Sequence, residues 1–279
     1  MTRAERITAS TPRSAGVVRS QSSVAGLLPR DRVLIASCIL LITALAWAYL
    51  VHLDHQMPSS VAPETMMSKM GMAIDAPWGA RDVFFTFLMW AVMMVGMMSA
   101  TALPVLLLFA DMHTQRTERR ASLLILLFGL GYITIWLGFS ASAALMQWAL
   151  HQSAWLSPGM AATSPRLAGT ILIAAGAYQL TPAKGACLRQ CQSPLGFLLS
   201  HWRDRASGAL QMGLRHGVYC LGCCWALMCV LFAVGVMNLV WVAALTAFIL
   251  LEKFGSIGAV ITRIGGVAMI AFGIFVLTR

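Results

Sequence analysis

Between residues 33 and 277 long apolar runs alternate with short polar breaks, and almost no charge falls inside the runs. That pattern limits the fold more than any single motif does. About 20 apolar residues cross the hydrocarbon of a bilayer as a helix. Within that layer each segment must satisfy its own backbone amides. The runs fall at 33–51, 83–110, 122–150, 167–180, 216–235, 238–251 and 258–277. They predict an all-α fold, a polytopic transmembrane helical bundle of about seven spans forming one domain over 33–279. Composition agrees: 59% of residues are hydrophobic and 11% charged, against about 25% charged in soluble domains. The apolar stretch 217–251 is too long for one span. Gly235, Val236, Met237 and Asn238 mark its break and predict a tight turn.

Charge sets the orientation. The formal net charge is +10, which in a soluble chain would suggest a nucleic-acid partner. Here the basic residues cluster in the tail 1–32 and in 111–121, 182–215 and 252–263. Basic loops stay on the cytoplasmic side, so these segments predict an N-terminus inside and a C-terminus outside, in a cell inner membrane. The partner is the lipid bilayer, with no nucleic acid. The tail holds six arginines and two acids without apolar periodicity, the composition of a disordered cytoplasmic tail.

The chemistry concentrates between residues 178 and 228, where five of the seven cysteines lie. His216, Cys220, Cys223 and Cys224 are spaced i, i+4, i+7 and i+8, one face of a helix. Met212 and Met228 extend the stripe by a turn at each end. Cys187 and Cys191, also i, i+4, predict a second short helix carrying two sulfurs, and His201 lies between the two groups. Thiolate and imidazole suit Cu(I) or Zn(II), and thioethers favour Cu(I). A lone cysteine such as Cys38 or Cys229 packs as a small hydrophobe. Three within five residues, one turn after a histidine, are what a metal or redox site requires. Adjacent Cys223 and Cys224 diverge by about 100° on a helix. Cys220 therefore pairs better with Cys224 or Cys223, with a third group from Cys187, Cys191 or His201.

A second sulfur row lies in the 83–110 run. Met93 and Met97, with Met94 and Met98 beside them, repeat at helical spacing and would line a Cu(I) site. Methionine also fills irregular apolar cores, so packing alone accounts equally well for the row. Pro104 predicts a kink or the last turns of that helix. Gly129, Gly131 and Gly138 on the next run predict close helix approach. Residues 52–82, with His52, His55, Met57, Met66, Met67, Met70 and Met72, read as a polar loop that could take up copper or simply connect spans. Arg263 opens the last run, where it could snorkel or pair with Glu252.

Read together, the sequence around Met89–Met98, Tyr178–Pro194, His201–Met228 and Gly235–Lys253 resembles the DUF2182 family over about 84–277. Ala183, where the family has a larger apolar residue after Thr-Pro, is a small departure. The resemblance implies a bacterial multi-span helical protein with a metal site, but no reaction.

The preferred expectation is a soft-metal-binding membrane protein, with Cu(I) favoured over Zn(II), for metal handling, insertion or homeostasis. A metallochaperone or a nearby metalloenzyme would be its partner. The alternatives are a membrane thiol–disulfide oxidoreductase using Cys220/Cys223 and Cys187/Cys191, or a structural subunit without metal. Buried helical cysteines lack the exposed thiolate that exchange needs. Neither a Walker A motif nor H-E-x-x-H occurs, so an enzyme is the weaker reading.

Overall fold

Proline and short polar caps divide residues 164–201 into separate helices. Ser164 caps one by accepting a bond from Arg166 N at 3.2 Å, with Pro165 in the first turn. Thr181 caps the next through Lys184 N at 3.3 Å, with Pro182 in its first turn. Pro194 opens a third. Proline suits these positions because the first-turn amides have no helical acceptor. The computed structural model describes residues 29–69, 78–114, 118–153, 164–203, 205–236, 238–254 and 257–279.

Among the described residues there are nine α-helices and no strand: α1 (Pro29–Lys69), α2 (Ala80–Thr114), α3 (Glu118–Gln152), α4 (Pro165–Gln179), α5 (Pro182–Gln192), α6 (Pro194–His201), α7 (Ala206–Val234), α8 (Leu239–Phe254) and α9 (Gly258–Leu277). Five segments are long and apolar enough to cross a membrane: Arg32–His55, Ala80–His113, Ala121–Gln152, Ala206–Val234 and Gly258–Leu277. α4 and α8, at 15 and 16 residues, are shorter than those five. Large apolar side chains such as Leu41, Leu126, Val240 and Ile264 face outward, as a lipid-facing surface requires.

The helices pair in defined directions. α1 runs antiparallel to α2, with Trp47 Nε1 donating to Gly96 O at 3.2 Å and Arg32 paired with Asp111 near the opposite end. α2 runs antiparallel to α3, where Trp90 Nε1 donates to Gln147 Oε1 at 2.7 Å. α3 and α7 are parallel and very close: a Cβ on Gly213 would stand 2.0 Å from Phe128 O. α4 and α9 are antiparallel, and a Cβ on Gly176 would meet Gly266 O at 2.6 Å. Small residues let backbones approach this closely. The turn between α7 and α8 forms where expected, with Gly235 at φ 101°, a conformation glycine adopts without steric cost.

Several expectations need correction. Residues 52–69, read as loop, continue α1 as helix past Pro58 and Pro63, because propagating a formed helix costs far less than starting one. Of the rest of the expected loop, 70–77 lies outside the described residues, as does the tail over 1–28, and α2 already begins at Ala80. α2 continues for ten residues past Pro104 to Thr114, so the proline does not mark its last turns. Gly131 does meet α7, with Leu210 O 2.4 Å from its ideal Cβ, but Gly129 and Gly138 have no such neighbour. They sit on other sides of α3.

Candidate metal centre

α7 carries His216, Cys220, Cys223 and Cys224 on its buried face, each 2% exposed or less. Two of the thiols turn toward one backbone atom. Cys223 Sγ donates to Cys220 O at 3.0 Å and Cys224 Sγ to the same oxygen at 2.9 Å. The two sulfurs thus converge although their Cβ atoms diverge. Spacing sets the Cα–Cβ direction, but the χ1 rotamer decides where the sulfur lies. The expectation of divergence is corrected on that ground.

Cys220 Sγ stands in a polar shell within the apolar bundle. Lys253 Nζ of α8 lies 3.0 Å away, Tyr132 OH of α3 3.2 Å and Thr101 Oγ1 of α2 3.8 Å. Lys253 Nζ also donates to Thr101 Oγ1 at 3.2 Å. Tyr132 OH and Thr101 Oγ1 both donate to Met98 O, at 3.1 and 2.8 Å. A buried ammonium needs an anion or strong acceptors. The groups Lys253 meets are a hydroxyl and a sulfur that can ionise. Four helices therefore converge on one thiol.

α5 supplies the remaining sulfurs. Cys191 packs against the cluster that holds Cys220 and Cys223, and its closeness to those two thiols, with desolvation, holds its own thiol well above the ordinary value. Cys187 packs on α7 at Gly222, where an added Cβ would stand 2.8 Å from Cys187 Sγ. Burial pushes its thiol up, with Cys223 adding to the effect. Tyr178 OH donates to Gly222 O at 2.5 Å on the same side. Cys229, two turns further along α7, is partly buried.

α5 is fixed by a buried ion pair. Lys184 Nζ donates to Glu252 Oε1 and Oε2 at 2.9 and 2.8 Å and also bonds Gln179 Oε1. Gln179 Nε2 donates to Glu252 Oε1 at 3.1 Å, and Gln192 Nε2 reaches Glu252 O at 2.7 Å. Both charged groups are buried. Glu252 thus pairs with Lys184 and not with Arg263, which is exposed. Glu252 and Lys253, which read from sequence as the polar end of a span, hold α5 on one side and Cys220 on the other. Sequence reasoning missed Thr101, Tyr132, Lys184 and Lys253. The one signal was an adjacent Glu-Lys pair ending an apolar helix.

His216 lies against Tyr132, Phe197 and Phe128, with ring centroids 5.7, 5.1 and 6.1 Å away. Its Nδ1 is buried and has no hydrogen-bond partner among the described residues. His201 sits elsewhere, at the end of α6. Its Nδ1 lies 2.9 Å from Ser200 Oγ and 3.1 Å from Phe197 O. Met93, Met94, Met97 and Met98 are all buried, and they share one apolar cluster with Cys220, Cys223 and Cys224. The row does not face lipid.

Among the described residues, no three His, Cys, Asp or Glu side chains stand at metal-coordinating separation. The hydrogen bonds explain this. Cys223 and Cys224 spend their thiol protons on a carbonyl, so coordination requires those protons to leave and the sulfurs to turn.

The fold and the site define a helical bundle with membrane-length apolar helices, buried thiols and a buried thioether row. A family model described as PpoB2, copper chaperone, matches residues 87–276, and the chain belongs to that family. The match spans α2 to α9. No curated protein matches the chain, and no solved structure does.

Proposed function

We propose that the chain is a multi-pass inner-membrane chaperone that holds Cu(I) on thiolates within the bundle and passes it to a metalloenzyme or a second metallochaperone. The observation that carries this is one buried cluster holding Cys220, Cys223, Cys224 and the methionine row, with Cys191 packed against it and His216 one turn before Cys220. Soft sulfur donors select Cu(I) over harder ions, and the thioethers favour it over Zn(II). Cys220 is the central ligand, Cys191 the second, and Cys223 or Cys224 the third. Cys187, His216 and Met93, Met94, Met97 and Met98 are nearby donors for transfer, and His201 lies outside this inner set.

The topology that fits is seven spans, α1, α2, α3, α4, α7, α8 and α9, in one domain over 33–279 with the basic N-terminal tail inside. Alternate crossing makes α1/α2, α2/α3 and α4/α9 antiparallel and α3/α7 parallel. Those are the directions in which these pairs pack. α4 pairs closely with α9, a helix long enough to span. Lys184, Arg189, Arg203, Arg205 and Arg215 then share the inner side.

Cu(I) titration against a competing chelator, under reducing conditions, tests the site. Cys220→Ser abolishes stoichiometric binding, whereas Cys229→Ser keeps it. Thermal unfolding run in parallel separates lost ligation from lost fold, since a buried serine adds a polar group needing a partner. Equal copper retention in folded Cys220→Ser and the parent contradicts the assignment.

A further inference from the structure

A cavity of 260 Å³ opens where α6 hands over to α7, lined by His201, Arg203, Gln211, Met212, Leu214 and Arg215. Among the described residues, no acidic side chain lines it. Neither Arg203 nor Arg215 makes an ion pair among the described residues. Two unpaired guanidiniums with an imidazole and an amide form a site for an anion. The volume fits a small molecule and is too small for a folded partner.

What lies behind the cavity separates it from an ordinary basic surface. Met212, 1% exposed, is one lining residue. His216, with its unpartnered Nδ1, follows one turn later, and Cys220 one turn after that. On a helix each step is about 6 Å along the axis. Thioether, imidazole and thiol thus form a file of soft donors from the cavity to the cysteines. Phe197 bridges the file, with its ring 5.1 Å from both His201 and His216.

We propose that this cavity docks a small anionic thiolate complex of Cu(I), and that the ion passes from it by Met212 and His216 to Cys220. The inference rests on the copper reading above and names its uptake route. The chemistry is ligand exchange. The copper–sulfur bond to the carrier breaks as bonds to Met212, then His216, then Cys220 form. The metal stays Cu(I), so no electron is transferred. The carrier leaves as its thiolate or takes the proton that Cys220 gives up. Arg203 and Arg215 hold the carrier's negative charge and touch copper at no stage.

The test is rapid-mixing copper uptake by the purified full chain from two donors: the anionic Cu(I)–glutathione complex and the cationic Cu(I)–acetonitrile complex. Arg203→Gln/Arg215→Gln takes up copper at least 10-fold more slowly than the parent from the anionic donor at low salt. It matches the parent with the cationic donor, and the final copper content is the same. Met212→Leu is slowed with both donors, because both use the file. Equal rates for the arginine variant and the parent with the anionic donor overturn the docking site while leaving the copper site intact. Equal slowing with both donors also overturns it, since charge recognition distinguishes them. If the parent in vesicles rich in anionic phospholipid loses its advantage over the arginine variant, the anion recognised is a lipid headgroup and the proposal falls. If the parent takes up no copper from either donor, both this inference and the copper reading fail.

Discussion

Replacing Lys184 by methionine leaves Glu252 as an uncompensated carboxylate inside the bundle. Lys184 contributes two bonds, at 2.9 and 2.8 Å, to a group that is 1% exposed. Removing one partner of a buried pair costs about 3–5 kcal/mol. Gln179 Nε2 still donates to Oε1 at 3.1 Å and offsets about 1 kcal/mol of that. The expected loss is about 3 kcal/mol, or about 6–12 °C in unfolding midpoint for a chain of this size. Lys184→Met/Glu252→Gln removes both charges and recovers most of the loss, because replacing a whole buried pair is often neutral. Thermal unfolding of the purified protein in detergent measures both. A Lys184→Met shift below about 2 °C, under 1 kcal/mol, refutes the claim that this pair holds α5 in place. So does a double variant no more stable than the single one.

Two further expectations follow from the packing and the charge pattern. In Gly213→Ala the new Cβ meets backbone, Phe128 O at 2.0 Å, whereas in Gly222→Ala it meets the movable Cys187 Sγ at 2.8 Å. Overpacking costs about 1–3 kcal/mol, and Gly213→Ala is the more destabilised in thermal unfolding; the reverse order contradicts the close α3–α7 contact. Ser207, exposed in the first turn of α7, lies inside in the proposed topology, as the positive-inside rule requires of its basic surroundings. A cysteine introduced there resists an impermeant thiol reagent in intact cells and reacts after lysis, and rapid labelling from outside overturns the orientation.

Features set by local rules were legible in the sequence. The stripe from His216 to Cys224, the short helix bearing Cys187 and Cys191, and the turn at Gly235 follow from the helical period and from glycine's backbone freedom. Contacts between segments were not. Nothing local tells that Lys253 reaches Cys220 while its neighbour Glu252 reaches Lys184, because that depends on which helices surround the end of α8. The same holds for glycines: Gly131 meets α7 and Gly129 does not, though composition treats them alike. Sulfur direction was misjudged at Cys223 and Cys224 for a finer reason. The period fixes Cβ vectors, while both side chains rotated toward Cys220 O. Helix propagation through 52–69 was hidden because polar residues and two prolines there carry loop character. In all four cases tertiary context, or a helix already formed, prevailed over local preference.

The most direct test of the central claim is copper K-edge X-ray absorption on the full chain loaded with one equivalent of Cu(I) under reducing conditions. The account predicts a Cu(I) edge and a first shell of two or three sulfurs, which loses its sulfur scattering in Cys220→Ser. A first shell of nitrogen and oxygen alone, or a spectrum unchanged by that substitution, contradicts it.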